Sequence, residues 1–236
     1  MKKTIKTCLL ALLFFVILTL FSNAKANSID KISMDIYVDN SGTAHVTETW
    51  QCYASKGTEV YHPYYNLGNS KIQNLTVSEK TKTYETISSW NTSASLSAKA
   101  YKCAINKISN GVELCWGISK YGSHTYTVKY SITNFVSELS DETQMIYWTL
   151  IPYDFSNPIG NVNIKIYSNF NMPSSTGVWG YGNKGHAYVS NGSIQMDSNG
   201  KLPSSDYMTI LVKLPKGTFN TSNTLKNDFD YYFNMA

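Results

Sequence analysis

The chain has 236 residues, of which 42% are hydrophobic, 14% aromatic and 15% charged, and it contains no arginine. Without guanidinium forks the usual bidentate grip on phosphates and base edges is missing, which argues against nucleic-acid recognition. The formal charge of +4 does not restore that role. Four of the 20 basic residues (Lys2, Lys3, Lys6, Lys25) lie in the first 26 positions, leaving 16 basic residues against 16 acidic ones and no polyanion-attracting field.

Residues 1–26 read as a cleavable secretory leader. Three lysines form its positive end, Cys8 to Phe21 form an apolar run of 14 residues, and Ala24-Lys25-Ala26 supplies the small-x-small cleavage site before Asn27. The run falls short of the roughly 20 residues that span hydrocarbon comfortably. The expected location is therefore secreted, or on the extracytoplasmic face of the membrane.

Beyond Asn27 the dominant signal is period-two alternation, the mark of strands with one buried face and one wet face. Ile32, Met34, Ile36 and Val38 share a face, and Ala44, Val46, Trp50 and Cys52 follow the loop Asp39-Asn40-Ser41-Gly42. Matching faces demands an odd-numbered loop, as in a type I turn with a glycine bulge. Tyr61, Tyr64 and Tyr65 cluster around Pro63 in an expected loop. Taking Asn110-Gly111 as a type I′ turn sets Ile105 opposite Trp116 and Cys103 opposite Ile118. Tyr126–Ile132, the apolar run Met145–Pro152, Val162–Ile166 and Met208–Leu214 are further strands, and the six prolines sit at run edges. No helical stripe follows the leader. The expected fold is all-β: an antiparallel β-sandwich, Ig-like or jelly-roll-like, as one unit or two tightly packed sub-sandwiches. The expected domains are the signal peptide 1–26, an extracytoplasmic β domain 27–219, and a C-terminal tail or juxtamembrane linker 220–236.

Alternation carries Glu48 onto the apolar face of its strand, where a carboxylate must be paired, hydrogen-bonded or protonated. A buried structural anchor is the expectation, with a ligand-facing carboxylate as the competing role. Cys52, Cys103 and Cys115 remain after leader removal. Cys103 and Cys115 point to opposite faces, so they do not bridge. Cys52 and Cys103 either meet in a disulfide across the fold or stay reduced as small apolar groups.

His45, His62, His124 and His186 lie on four separate segments and read as surface or turn residues, since metal sites usually show a close ligand pair. Asp39–Gly42 and Asp197–Gly200 lack the repeated acidic positions and distal Glu of a calcium loop. Nucleophile-elbow, zincin and phosphate-loop signatures are missing from the sequence. No catalytic residue, metal or cofactor is expected. Trp179, Tyr181 and Tyr188, in a glycine-rich stretch, are the candidate binding aromatics.

The segments SIDKISMDIYVDNSGTAHVTETW, YTVKYSITNFVSELSDETQMIYWTLIP and YMTILVKLPKGTF occur in an order that resembles the N-terminal extracytoplasmic domain of the DUF2207 family of predicted membrane proteins. The match rests on Asp39 to Glu48, Tyr147 and Trp148, and Leu214-Pro215 through Phe219. The resemblance implies a β-sandwich displayed outside the cytoplasmic membrane, held by following transmembrane helices, with no established activity or catalytic residues. The sequence departs from that plan over residues 227–236, where a membrane segment would be expected to approach. The functional expectation is a non-enzymatic cell-envelope module for binding or assembly, its partner a protein or a cell-wall glycan. The alternative is a carbohydrate- or cell-wall-binding protein that uses exposed aromatics. Membrane contact is expected only if the chain continues into transmembrane helices.

Overall fold

The computed structural model describes residues 25–153 and 155–236, so nearly all of the expected leader lies outside the described residues. The described chain is almost wholly β. One eight-stranded sheet has the order β14 (His186–Ser190), β15 (Ser193–Asp197), β12 (Val162–Tyr167), β1 (Ser28–Val38), β2 (Ala44–Ala54), β9 (Gly122–Ile132), β4 (Ile72–Glu79), β5 (Lys82–Thr83), and two four-stranded sheets have the orders β10 (Val136–Glu138), β11 (Gln144–Ile151), β16 (Met208–Leu214), β13 (Gly177–Tyr181) and β3 (Glu59–Tyr65), β8 (Gly111–Gly117), β7 (Lys102–Ile108), β6 (Glu85–Thr86).

The large sheet is built on β1 (Ser28–Val38), β2 (Ala44–Ala54), β9 (Gly122–Ile132) and β12 (Val162–Tyr167). Its other strands are β4 (Ile72–Glu79), β5 (Lys82–Thr83), β14 (His186–Ser190) and β15 (Ser193–Asp197). In the first hairpin Ile36 faces Val46, Met34 faces Glu48 and Ile32 faces Trp50. Gly42 takes φ +76° and its N–H donates to the Asp39 carbonyl, the geometry of the expected turn with a glycine bulge. The apolar positions of β1, β2, β9 and β12 line one face and are buried, whereas Asp35, His45 and Lys129 on the opposite face are exposed.

The second sheet joins β10 (Val136–Glu138), β11 (Gln144–Ile151), β13 (Gly177–Tyr181) and β16 (Met208–Leu214). The third joins β3 (Glu59–Tyr65), β6 (Glu85–Thr86), β7 (Lys102–Ile108) and β8 (Gly111–Gly117). Both contribute to the core formed on the buried face of the large sheet. There Trp50 of the large sheet meets Trp116 of the third edge-to-face, with ring centroids 5.2 Å apart, a favoured aromatic geometry.

Several expectations need correction. Pairing is not purely antiparallel, because β1 and β12 run parallel, with Ile32 opposite Val162 and Ile36 opposite Ile166. Between those strands the chain leaves to form other sheets and returns on the far side of β1, so β12 arrives in the same direction. The second hairpin turns on Ser109-Asn110, two residues from the expected register, pairing Cys103 with Trp116 and Ile105 with Leu114. Gly111 is a ladder residue rather than a turn residue: a Cβ there would lie 1.9 Å from the Tyr64 carbonyl oxygen of β3. Its smallness serves strand approach, not a left-handed turn.

Cys52, Cys103 and Cys115 are all buried free thiols, so the Cys52–Cys103 bridge is not formed. Cys52 sits in the large sheet opposite Ile29 and His124. Cys103 sits in the third sheet, its sulfur 3.6 Å from the Thr86 hydroxyl.

Residues 220–236, set apart above as a tail, are part of the folded body. Asn220 N–H donates to Asn40 O, Leu225 N–H donates to Glu138 O, and the helix Phe229–Met235 starts on an Asp228 cap. Phe229 from that helix packs with Leu211, Met145 and Leu139 on the outer face of the second sheet. This is why β16 is buried on both faces, Thr209 and Leu211 included.

Candidate functional site

The strongest acid–base grouping centres on Glu48, which alternation along β2 points into the core. Glu48 and His62 are both 0% exposed. His62 Nδ1 lies 3.0 Å and 3.1 Å from the two Glu48 carboxylate oxygens, and its Nε2 lies 3.1 Å from the Leu150 carbonyl oxygen. Both ring nitrogens thus face acceptors, an arrangement fully satisfied by a doubly protonated ring. Trp50 Nε1 donates to Glu48 Oε2 at 2.5 Å, Tyr130 donates its hydroxyl to Oε1, and the Tyr64 hydroxyl lies 2.5 Å from that of Tyr130. Burial pushes the Glu48 carboxyl up, but the His62 charge and the hydrogen bonds from His62, Tyr130 and Trp50 outweigh it and hold the group below its ordinary value. Burial and the Glu48 charge raise both tyrosines well above theirs, so they stay neutral donors. This network ties all three sheets together. Glu48, His62, Trp50, Tyr64 and Tyr130 are all buried, so the network's polar atoms take their partners from within the protein.

The other histidines follow a similar plan. His124, on the buried face of β9, has Nδ1 at 2.8 Å from Glu79 Oε1 and Nε2 at 2.8 Å from the Lys120 carbonyl. His45 meets Asp39 at 2.8 Å and His186 meets Asp197 at 3.6 Å. The expectation of surface or turn histidines fails for His62 and His124. For His124 the signal was available, because it shares strand parity with Tyr126, Val128 and Tyr130. Lys99 is also buried. Its ammonium reaches Glu59 at 2.6 Å, Thr58 at 2.9 Å and the Thr92 carbonyl at 2.7 Å, which uses all three hydrogens. Among the described residues no three His, Cys, Asp or Glu side chains gather as a metal site would require.

A surface cleft of about 700 Å³ opens beside the free stretch of β11. Three parts of the chain form its walls: the loop from Tyr65 to Ser70 with Asn110, the β11 segment Tyr147–Thr149 with Tyr153, and Tyr207 with the C-terminal stretch that includes Asn223 and Tyr232. Asn66, Gly68 and Asn134 hold their turns with φ of 54°, 54° and 53°, values that glycine and asparagine tolerate best. The described lining contains tyrosine, tryptophan, asparagine and serine but no Asp, Glu, Lys or His. Tyr153 is 53% exposed. The Trp148 indole stacks on Phe135 and donates to its carbonyl oxygen at 3.0 Å, which fixes the wall.

The aromatics singled out from the sequence lie elsewhere. Trp179 and Tyr181, on β13, belong to the cluster under the C-terminal helix, with the Trp179 ring 5.6 Å from Phe229 and 5.1 Å from Phe233. Tyr188 is exposed on β14, an edge of the large sheet. Trp179 and Tyr181 are half-buried, unlike Tyr188. Of the Tyr61–Tyr65 cluster, Tyr65 reaches the cleft and Tyr64 is buried, in a strand rather than a loop. Sequence reasoning missed Tyr147, Tyr153 and Tyr207 as cleft residues. The only local hint was Tyr153, just beyond Pro152 at a strand end.

The family described as "Predicted membrane protein (DUF2207) N-terminal domain" matches residues 28–214, and the chain belongs to this family. No curated protein matches it in sequence. Among solved structures, yeast LTA4 hydrolase in complex with bestatin is similar, with a TM-score of 0.51 and 12% identity over 81% of this chain and 29% of the hydrolase. An M1 zinc metallopeptidase from Deinococcus radiodurans gives a TM-score of 0.38 at 10% identity, covering 80% of this chain and 42% of the other. A putative nutrient binding protein from Legionella pneumophila subsp. pneumophila str. Philadelphia 1 gives 0.41 at 11% identity, covering 80% and 67%. The first likeness speaks to the fold alone, and this chain spans under a third of the hydrolase. No helix among the described residues is long and apolar enough to cross a membrane.

Proposed function

We propose that this chain is a non-enzymatic β-sandwich module of the cell envelope, displayed outside the cytoplasmic membrane, and that it works by binding through the cleft beside β11. The observation that carries the reading is the division of side chains. Two acid–base pairs, Glu48 with His62 and Glu79 with His124, are internal, and the described lining of the cleft has no Asp, Glu or His. The described lining of that cleft offers aromatic rings, amides and hydroxyls, which hold a ligand but do not activate one. Export is supported by the leader-like N-terminus and by membership of a predicted membrane protein family.

Sedimentation of the purified exported chain with isolated cell envelopes tests this. The chain is expected to co-sediment, and Tyr153→Ala combined with Tyr207→Ala should lower the bound fraction about tenfold with the thermal midpoint unchanged. Envelope binding that is indifferent to these substitutions, or no envelope binding at all, overturns the reading.

A further inference from the structure

The cleft's chemistry narrows the class of ligand. Its described lining carries no cation, so a carboxylate- or phosphate-bearing polymer meets no counter-charge, and it carries no anion to attract a basic partner. The side chains of Asn66, Asn69 and Asn110 make no hydrogen bond to another described residue, and neither do the hydroxyls of Tyr147, Tyr153 and Tyr207. Each amide supplies a donor pair and an acceptor side by side, and each phenol supplies one of each. That pattern matches adjacent hydroxyls, while exposed ring faces such as that of Tyr153 match the C–H faces of a pyranose. A volume of about 700 Å³ falls within the range of small-ligand clefts and leaves room for several sugar rings.

An extended peptide adding a strand to β11 fits less well. Beyond Ile146, where the β10 pairing ends, the ladder with β16 is regular only to Thr149, shifts between Thr149 and Ile151, and gives way to Pro152. An edge of about three residues offers too few main-chain hydrogen bonds to seat a strand.

We infer that the cleft bounded by Asn66, Asn110, Tyr147, Tyr153 and Tyr207 is a binding site for an uncharged oligosaccharide. The inference rests on the proposed binding role and assigns its ligand class. The rings stack on sugar faces, the asparagine amides read hydroxyl pairs, and acidic glycans are refused for want of a cation in the described lining.

Calorimetric titration of the purified chain with neutral tetrasaccharides of glucose, mannose and N-acetylglucosamine, and with tetragalacturonate, tests it. At least one neutral probe should bind and the uronate should not. Tyr153→Ala should weaken the neutral complex about fivefold to tenfold, and Asn66→Gly with Asn110→Ala should weaken it by a similar factor; all of these sites are at the surface and glycine keeps the φ of 54° at position 66, so folding is retained. No neutral binding at about 5 mM, where even a millimolar complex would be mostly formed, overturns the inference. Equal binding of the uronate, or neutral binding that ignores these substitutions, does so too. Competition by the neutral tetrasaccharides at about 5 mM separates the two levels. If cleft-dependent envelope binding is untouched by all three, the sugar assignment falls, a peptide ligand takes its place, and the binding role stands. If envelope binding ignores the cleft, both fall.

Discussion

Glu48 of β2 and His62 of β3 belong to different sheets, yet both carboxylate oxygens lie within 3.1 Å of one imidazole nitrogen, with neither residue exposed. Removing two such groups from water costs several kcal/mol each, and that cost is offset only when every donor and acceptor is used. Here Trp50, Tyr130 and the Leu150 carbonyl use the remainder.

Glu48→Gln should therefore destabilise the fold by about 3 kcal/mol or more, because an amide nitrogen replaces an acceptor in front of three donors and His62 loses its buried counter-charge. Urea unfolding followed by tryptophan fluorescence measures it. A loss below about 0.5 kcal/mol would show that the network contributes little.

The same carboxyl sets a pH dependence. Its folded-state pKa lies below the ordinary 4.5, so the unfolded chain takes up the proton first as pH falls. The stabilisation is fully present above about pH 4.5 and is lost as pH drops through the folded value. Stability of the parent protein should thus fall more steeply below pH 4.5 than that of Glu48→Gln. Parallel curves for the two proteins would contradict this.

The three thiols should be inert in the folded protein. Burial, with the Asp30 and Glu79 charges behind it, pushes Cys52 up to about 12, and burial raises Cys103 and Cys115 as well. Since the thiolate is the reacting form, a disulfide reagent at pH 8 should modify these residues only after denaturant is added. Fast labelling of the native chain would contradict the buried, unbridged assignment.

Gly111→Ala should cost about 3 kcal/mol or more, because the new methyl meets the Tyr64 carbonyl oxygen at 1.9 Å and the β3–β8 ladder must part. Gly57→Ala, at φ +90° in open space, should cost only about 1 to 2 kcal/mol from backbone strain. Similar losses at both sites in thermal unfolding would refute the steric account.

Phe229→Ala should lower stability by about 3 kcal/mol and shift Trp179 emission to the red, because Phe229 covers that indole. An unchanged spectrum would mean that the C-terminal helix does not shield β13.

What could be read in advance divides along physical lines. The faces of β1, β2, β9 and β12 and the inward direction of Glu48 were legible because side chains alternate strictly along a strand. The Asp39–Gly42 turn was legible because a glycine bulge has a local signature. His62 as the partner of Glu48 was not, since a contact between sheets leaves no periodic trace. The two-residue register error came from reading Gly111 as turn chemistry, when its role is set by a third strand passing close by. The cleft was hidden for the same reason as His62, as its walls come from Tyr65–Ser70, Tyr147–Tyr153, Tyr207 and residues beyond 220, which only the tertiary fold brings together. Trp179 and Tyr181 looked available because nothing local announces that the C-terminal helix lies over them.

The position of β1 also governs how the molecule comes into being. It is flanked by β2 a few residues away and by β12 about 130 residues downstream. That strand therefore waits for about 130 further residues before its second edge is covered. Closing so long a loop before any reward accrues makes assembly slow and nonlocal. In the interval an apolar ribbon with an open rim invites misassociation, so truncation anywhere before Tyr167 should yield aggregates rather than a smaller native unit.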